Sequence, residues 1–259
     1  MKKLAFLFIA LVAIITMSAC RIEKTAAATP VKSFTLNLSG FQSIKNYSNC
    51  DIHFTQSPTY SVVLKATQHW YDTHTVAVRY GELVITEKEE RKEPGITVLH
   101  INGRHDSDAD LWISAPILTA STIAGSGDFY AETPITGHNL ELSVAGSGDT
   151  ELKTVTLDGN FRYSVAGSGD ISTGTLSATN ATFDISGSGD VDSKLAKVGT
   201  TKLSIAGSGD ADLDFTDCNQ ATVAVSGSGD ITLSGNLRSL EKRISGSGDI
   251  DTDKLRIKQ

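Results

Sequence analysis

The sequence lacks several features that mark common classes of protein. It has no run of basic residues and a formal charge of −7, which argues against a surface built to neutralise nucleic-acid phosphates. Its longest apolar run is about a dozen residues, well short of the roughly 20 that a membrane-spanning helix needs. Beyond that run, no stretch keeps a helical period over the dozen or so residues of a stable helix. Apolar residues, 39% of the total, nevertheless occur along the whole chain, so we expect an ordered body.

The N-terminus has the order of features found in secretory signals. Lys2 and Lys3 precede an apolar run over residues 4–15, and the small residues that follow end at Cys20. The ending Met-Ser-Ala-Cys resembles the lipobox of bacterial lipoproteins, although Met17 stands where Leu is more common. We therefore predict a signal peptide over residues 1–19 and diacylation of Cys20. Ordinary cleavage before an unmodified Cys20, or an uncleaved anchor, remains the alternative.

Residues 20–32 are predicted to be a lipid-anchored tether, because they have no periodicity and contain Pro30. Loss of the two signal lysines changes the formal charge from −7 to −9. We place the protein in the cell envelope and expect an outer-membrane lipoprotein of a diderm bacterium. The lipidated Cys is followed by Arg21 rather than by Asp, which is compatible with transport to the outer membrane.

The second half of the chain is built from a repeat of about 20 residues. Gly-Ser-Gly-Asp occurs seven times, and its first residues are spaced by 19 to 21 positions: Gly125, Gly146, Gly167, Gly187, Gly207, Gly227 and Gly246. A β-branched residue stands two positions before each motif, and apolar residues alternate with polar ones on both sides of it. This period-two alternation is typical of strands with one buried face.

Three architectures were weighed for this repeat. A leucine-rich repeat would need more leucines, with Asn or Cys at fixed offsets. An antiparallel meander would not require the same small and β-branched residues at the same offsets seven times. A parallel β-helix does require it, because equivalent residues stack about 4.8 Å apart. We therefore predict an all-β fold: a single-stranded, right-handed parallel β-helix with about 20 residues per rung, each motif forming one corner.

Residues 33–118 are predicted to be a less regular β part, continuous with the GSGD-repeat β-helix of residues 119–259 or capping it. The boundary is expected near Pro116. A tight turn is expected at Tyr80-Gly81. Cys50 and Cys218 are expected to stay unpaired, because the architecture separates them. The predicted strands of this part are residues 33–38, 51–55, 61–66, 75–78, 82–86, 97–101 and 111–114.

The repeat aspartates are the first candidate site, because the architecture places them in a line along one edge. They are Asp128, Asp149, Asp170, Asp190, Asp210, Asp230 and Asp249. Carboxylates about 5 Å apart repel by roughly 1 kcal/mol even in water, so something must offset the repulsion. One explanation is a divalent cation, Ca²⁺ above all, shared between rungs. The other is hydrogen bonding to N–H groups of the turn. We expect no cofactor and keep Ca²⁺ as the alternative.

Two further groups of residues were considered. The densest aromatic group, with Trp70 and Tyr71 as its candidate ligand contacts, suits a sugar or peptide or else caps the core; its other members are His69 and His74. A second group resembles the opening of an EF-hand loop, but Leu111 and Ile117 stand where Gly and Glu are required, so no firm metal site is predicted. That group comprises His100, His105, Asp106, Asp108 and Asp110.

Catalysis is not favoured by the pattern of residues. Parallel β-helices include polysaccharide lyases and glycosidases, which need convergent carboxylates in different environments. Here the carboxylates recur identically in every rung, and the serine of each corner does not fit a Gly-x-Ser-x-Gly elbow. A polysaccharide-active enzyme is the alternative to a non-catalytic module.

Beyond the repeat, three segments complete a family resemblance: Thr-Leu-Asn-Leu-Ser-Gly-Phe-Gln-Ser-Ile, Cys-Asp-Ile-His-Phe-Thr-Gln-Ser and Gly-Glu-Leu-Val-Ile. Over residues 33–255 the chain resembles the bacterial auto-transporter adhesin head GIN domain family, a domain of unknown function. The resemblance implies an envelope-exposed β-solenoid, often on a lipoprotein, and supplies no catalytic residues. We expect a non-catalytic adhesin, binding or structural module whose partners are the membrane, through the anchor, and a surface glycan or protein.

Overall fold

The computed structural model of the chain describes residues 29–88 and 109–258. Within these residues one short helix accompanies twenty strands, which join into one continuous sheet wound around the core. The elements are β1 (Lys32–Leu36), β2 (Ser43–Asn46), β3 (Asp51–Gln56), β4 (Ser61–Ala66), α1 (Gln68–Thr73), β5 (His74–Arg79), β6 (Glu82–Glu87), β7 (Ala109–Ala115), β8 (Ala120–Gly125), β9 (Phe129–Ala131), β10 (Ile135–Gly137), β11 (Leu140–Gly146), β12 (Thr150–Leu157), β13 (Asn160–Gly167), β14 (Ile171–Ser177), β15 (Asn180–Gly187), β16 (Val191–Ala196), β17 (Thr200–Gly207), β18 (Ala211–Gly227), β19 (Ile231–Gly246) and β20 (Ile250–Ile257).

The repeat half is a parallel β-solenoid, as the spacing predicts. Each strand pairs in parallel with the strand one repeat later, and equivalent residues are in register, as Gly167 is with Gly187 and Ile185 with Ile205. The prediction of stacked rungs of about 20 residues is therefore confirmed. The antiparallel meander is excluded by this parallel register. The leucine-rich repeat is excluded because each described repeat has strands on both sides of its corner and no helix.

Each rung has a strand before the corner and another strand after it. We call the sheet that precedes the corners face A; its strands in spatial order are β5, β6, β2, β8, β11, β13, β15, β17 and the second halves of β18 and β19. We call the sheet that follows the corners face B; its strands in spatial order are β1, β4, β7, β3, β9, β12, β14, β16, β18, β19 and β20.

The core consists of columns of side chains that repeat from rung to rung. The β-branched residue before each corner forms one such column, in which Val165, Ile185 and Ile205 are buried and lie in register. Burial of each Val or Ile side chain contributes about 1.5–3 kcal/mol. A neighbouring column holds Tyr163 and Phe183, and Phe183 also packs on Phe161 at a centroid distance of 5.5 Å. The repeat thus specifies the core as well as the turns.

The sheet continues across the boundary expected near Pro116. β2 pairs in parallel with β8, and β3 pairs in parallel with β9, so these two early strands form a complete rung. Antiparallel strands then cover the N-terminal end: β4 lies between β1 and β7, and β5 forms a hairpin with β6. The expected turn at Tyr80-Gly81 is confirmed, since both residues have positive φ, 54° and 80°.

α1 interrupts the strands at the N-terminal end and was not expected from the sequence. Thr67 caps it, because its side-chain oxygen accepts a hydrogen bond from the backbone N–H of Trp70 at 3.1 Å. With six residues this helix is far too short to cross a bilayer, and no other described stretch is a long apolar helix. The predicted strand over residues 97–101 lies outside the described residues.

Candidate functional site

The corners are the most constrained backbone of the molecule. From Gly146 onward the first glycine of each corner has φ between 133° and 148°, a region that side chains rarely allow. A Cβ added at Gly187 would collide with the carbonyl oxygen of Gly167, the equivalent residue of the preceding rung. The second glycines are equally crowded, as Gly189 is against the carbonyl oxygen of Gly169. Glycine is therefore required here by the close stacking of corners.

One corner carries no glycine and was missed in the sequence. Residues 48–51 form the corner between β2 and β3, with Ser48 and Cys50 beneath the glycines of the next rung. Asn46 closes this corner instead, since its Nδ2 donates to the carbonyl oxygen of Cys50 at 2.6 Å. The signal in the sequence is Asp51, which is followed by alternating Ile52 and Phe54 as in a repeat.

The line of corner aspartates predicted from the sequence exists and has one additional member. We call it the aspartate file; it comprises Asp51, Asp128, Asp149, Asp170, Asp190, Asp210, Asp230 and Asp249. The carboxylate of each except Asp249, the last, accepts a hydrogen bond from the backbone N–H of the next aspartate in the file, at 2.7–3.0 Å. The N–H groups thus come from the following rung and link one corner to the next.

The carboxylates of the file still repel one another. Partial burial raises the pKa of Asp51 and of Asp170 above the ordinary 3.8, and the neighbouring carboxylates raise the pKa of both further. The N–H hydrogen bonds act in the opposite direction, because they favour the charged form. The file is therefore a line of negative charge held in place by backbone donors.

An open groove of about 640 Å³ runs along the file on face B. One wall is the central part of the file, from Asp149 to Asp230, whereas Asp128 and Asp249 lie outside the lining. The other wall, which we call the second column, follows two residues later in each rung: Tyr130, Glu151, Ser172, Asp192, Asp212 and Thr232. With carboxylates on both walls and strand backbone between them, the groove presents a strongly negative potential.

Stacked rings continue the second column towards the N-terminus. His53 lies between Trp112 and Tyr130, at centroid distances of 4.0 and 5.0 Å, and Lys65 covers the other face of Trp112 at 4.4 Å. The Tyr130 hydroxyl donates to Asp128 at 2.8 Å. The stack joins side chains of β7, β3 and β9. Because both faces of the Trp112 ring are occupied, neither face is open to a sugar.

The aromatic group around α1 is divided between the core and the surface. Trp70 is buried and stacks on His74 at 4.1 Å, so its ring is not accessible as a ligand contact. Tyr71 is 38% exposed, with one face stacked on Phe34 at 4.1 Å. The surface part of this candidate contact is therefore Tyr71. It lies at the N-terminal end of the solenoid, away from the groove.

The EF-hand-like segment is described only in part. His100, His105, Asp106 and Asp108 lie outside the described residues, and Asp110 lies in β7, where its Oδ1 is 3.4 Å from Nε2 of His53. Among residues 29–88 and 109–258, no three His, Cys, Asp or Glu side chains converge as a metal site would require. The carboxylates of the aspartate file accordingly lie in a line and do not converge on one point.

The two cysteines of the described residues are free and buried, as expected. Burial raises the pKa of the Cys50 thiol and that of the Cys218 thiol, which keeps both protonated and unreactive. Cys20, the predicted lipidation site, lies outside the described residues.

Comparison with known proteins agrees with this geometry. The family model described as "Putative auto-transporter adhesin, head GIN domain" matches residues 40–213 and 193–259, which together include every described strand except β1. The chain belongs to this family. A search of curated proteins found no match.

Solved structures of similar fold come from Bacteroides and Parabacteroides species. A putative adhesin from Bacteroides fragilis has a TM-score of 0.72 at 20% identity, covering 86% of this chain and 96% of that one. A putative lipid binding protein from Parabacteroides distasonis has a TM-score of 0.65 at 21% identity, covering 85% and 96%. A putative adhesin from Parabacteroides merdae has a TM-score of 0.61 at 17% identity, covering 85% and 95%. At these identities the likeness shows that the GIN domain fold is shared.

Proposed function

We propose that this GIN domain protein is a non-catalytic adhesin of the cell envelope, anchored by a lipid on Cys20. Family membership and the adhesin descriptions of the similar structures support the binding role. The lipobox-like ending and the tether of residues 20–32 support the anchor and an outer-membrane location. Two or more acyl chains on one cysteine give stable anchoring, where a single chain is marginal.

The groove on face B is the observation that carries the proposed binding role. It spans about five rungs, a length of roughly 20 Å at the spacing of paired strands. Its two walls carry Asp170, Asp190, Asp192 and Asp212 among other acids, and no basic residue lines it. An extended ligand with repeated positive charge, such as a basic peptide or an amino-sugar polymer, fits this shape and potential.

A polysaccharide-active enzyme is the second candidate, and one observation favours it. The raised pKa of Asp170 within a carboxylate-lined groove is a property of general acids in glycosidases. Against it, Asp170 makes the same backbone hydrogen bond as Asp149 and Asp190 on either side. Acid and base roles need environments that differ, and the repeat makes these environments alike. We therefore favour binding without turnover.

The test measures retention and cleavage of a panel of ligands. The exported chain carrying Cys20→Ser is immobilised and exposed to neutral, acidic and amino-sugar glycans and to basic peptides. We expect retention of the positively charged polymers, without released products, and weaker retention at high salt because exposed charges are screened. Products of chain cleavage would support the enzyme instead, and no retention of any ligand would refute the groove as a binding site.

A matched pair of variants assigns the binding to the groove. Asp190→Asn with Asp192→Asn removes two charges from the groove and keeps the amide oxygen that the corner ladder needs. Glu141→Gln with Asp158→Asn removes two exposed charges outside the groove lining. Only the first pair is expected to weaken retention. For the anchor, incorporation of labelled fatty acid into the wild-type chain and its loss in Cys20→Ser is the expected result.

A further inference from the structure

The last strand of face B has an unused edge. β20 pairs with β19 on one side, and no strand of the described residues pairs with its other side. An open edge is a template for another strand. Ile257, at the end of β20, is 50% exposed, and it is in register with the buried Leu237. The C-terminal end of the solenoid therefore presents unpaired backbone together with apolar side chains.

The side chains of β20 fall into two groups. Ile250, Thr252, Leu255 and Ile257 point to the core side, since Ile250 is buried, Thr252 and Leu255 are partly buried and Ile257 follows Leu237. The exposed outer side carries two acids and then two bases: Asp251, Asp253, Lys254 and Arg256. The register between β20 and β19 shifts between Asp251 and Lys254, where Thr252 and Asp253 lie opposite the single residue Leu233. Within this irregular stretch the backbone N–H of Asp253 donates to the carboxylate of Asp251 at 2.8 Å.

We propose that the free edge of β20 binds β20 of a second copy in antiparallel orientation, about a two-fold axis between Asp253 and Lys254. In this register Asp253 faces Lys254 of the second copy, and Asp251 faces Arg256. On the core side Ile250 faces Ile257 and Thr252 faces Leu255. A two-fold interface requires such a self-complementary order, because each contact occurs twice. Opposite charges and apolar pairs directly across an antiparallel ladder both stabilise it.

The irregularity in β20 selects this register. In a regular strand alternate residues share a face, so two acids followed directly by two bases would not all lie outside. The register shift places Asp253 and Lys254 on the same side, and the two-fold axis passes between them. A slip of one residue would set core-side residues against outer ones. Charge, apolar character and side-chain direction thus agree in one arrangement.

The neighbouring edge on face A is protected against the same pairing. Lys242 occupies a core-side position of β19, in register with the buried Val223, and its Nζ donates to the carbonyl oxygen of Ile250 at 3.4 Å. An inward-pointing charge is a known device against edge pairing. Charged residues can also protect an edge when they repel a second copy, but the order in β20 is complementary to itself. Association is therefore directed to β20.

The arrangement determines where the two N-termini lie. β1 and β20 are the first and last of eleven strands on face B, about 48 Å apart at the spacing of paired strands. Pairing through β20 places the two β1 strands at opposite ends of the dimer. If both chains are anchored through residues 20–32, the dimer joins two membranes; this consequence, unlike the edge pairing itself, rests on the proposed function.

Sedimentation equilibrium of the soluble chain tests the edge pairing. We expect a reversible dimer. Lys254→Asp sets Asp253 against a second acid, twice in each dimer, and is expected to weaken dimerisation about tenfold. Asp253→Lys combined with Lys254→Asp exchanges the two charges and is expected to restore the dimer. Neither side chain forms an ion pair within the described residues, so the native fold does not depend on them.

Lys202→Asp is the control, because it makes the same charge change on an exposed position of face A. It is expected to dimerise like the wild type, with circular dichroism verifying the fold of every variant. A monomeric wild type at high concentration overturns the proposal. So does a double exchange variant that stays monomeric while folded, since it shows that Asp253 does not face Lys254.

Vesicles separate this inference from the proposed function. Phosphatidylcholine vesicles with a nickel-chelating lipid carry the chain through an N-terminal histidine tag, and light scattering reports clustering. Clustering by the wild type and none by Lys254→Asp is the expected result. Dimers in solution without clustering would leave the edge pairing intact and contradict adhesion between membranes. Clustering that Lys254→Asp does not reduce would contradict the role of β20.

Discussion

The backbone N–H of Asp190 donates a hydrogen bond to the carboxylate of Asp170 at 2.7 Å. The same bond links each corner aspartate to the next along the file. The aspartates that suggest a ligand site in the sequence therefore join one rung to the next through hydrogen bonds. Only the carboxylate surface not used by these bonds faces the groove.

The ladder predicts different effects for two substitutions of Asp170. Asp170→Ala leaves the N–H of Asp190 without its acceptor and is expected to destabilise by about 1 kcal/mol, the net value of one hydrogen bond. Asp170→Asn keeps an acceptor oxygen and removes one of several repelling charges, so it is expected to be at least as stable as the wild type at neutral pH. Thermal unfolding followed by circular dichroism distinguishes them, with an expected difference of roughly 2–4 °C per kcal/mol. Equal loss in both variants would show that charge, and not the acceptor, matters there.

The corner glycines predict a large effect of a single methyl group. Gly187→Ala forces a side chain into a backbone with φ of 137° and into the carbonyl oxygen of Gly167. The loss is expected to be about 3 kcal/mol or more, because neither strain nor collision is relieved without moving a rung. Gly137→Ala is the matched control, since its added Cβ would meet only Leu157 Cδ2 at 3.9 Å. Urea unfolding gives both values; similar stability of the two variants would contradict the close stacking of corners.

The repeat made much of the fold predictable. The nearly constant spacing of corners from Gly125 to Gly246 requires rungs of nearly equal length, and only parallel stacking needs the same residue at the same offset in each. The antiparallel cover at the N-terminal end follows no repeat, so its strands were expected but their pairing was not. α1 has six residues, too few for a helical period to show.

The site was predictable only where glycine marks it. Asp51 was missed because its corner carries Ser48 and Cys50 where the later corners carry glycine. The contact of His53 with Trp112 and Tyr130 joins residues far apart in sequence, and only the register of β3 with β7 and β9 brings them together. The groove likewise depends on how the file and the second column lie across face B.

Calcium is expected to have no specific effect on stability. One oxygen of every file carboxylate except that of Asp249 is already held by an N–H, and the described residues contain no convergent set of metal ligands. A cation bound at 100 times its Kd would add about 2.7 kcal/mol. We expect millimolar CaCl₂ and EDTA to give the same Tm within about 1 °C at matched ionic strength, which controls for screening of the file. A saturable rise of several degrees, lost in Asp190→Asn with Asp192→Asn, would instead establish a calcium site.

Asp170 also predicts a pH dependence that the Asn variant isolates. Its pKa in the folded protein is raised above 3.8 by partial burial and by the carboxylates of Asp149 and Asp190. The folded state therefore binds this proton more tightly than the unfolded state, so the charged form costs stability at neutral pH. As the pH falls through the raised pKa, the wild type takes up the proton and that cost disappears. The stability advantage of Asp170→Asn is thus expected to be largest at about pH 7 and to vanish near pH 4. Urea unfolding of both proteins across this range measures it, with Glu141→Gln, exposed and outside the groove, as the charge-matched control. An advantage that stays constant, or that grows as the pH falls, would contradict a raised pKa at Asp170.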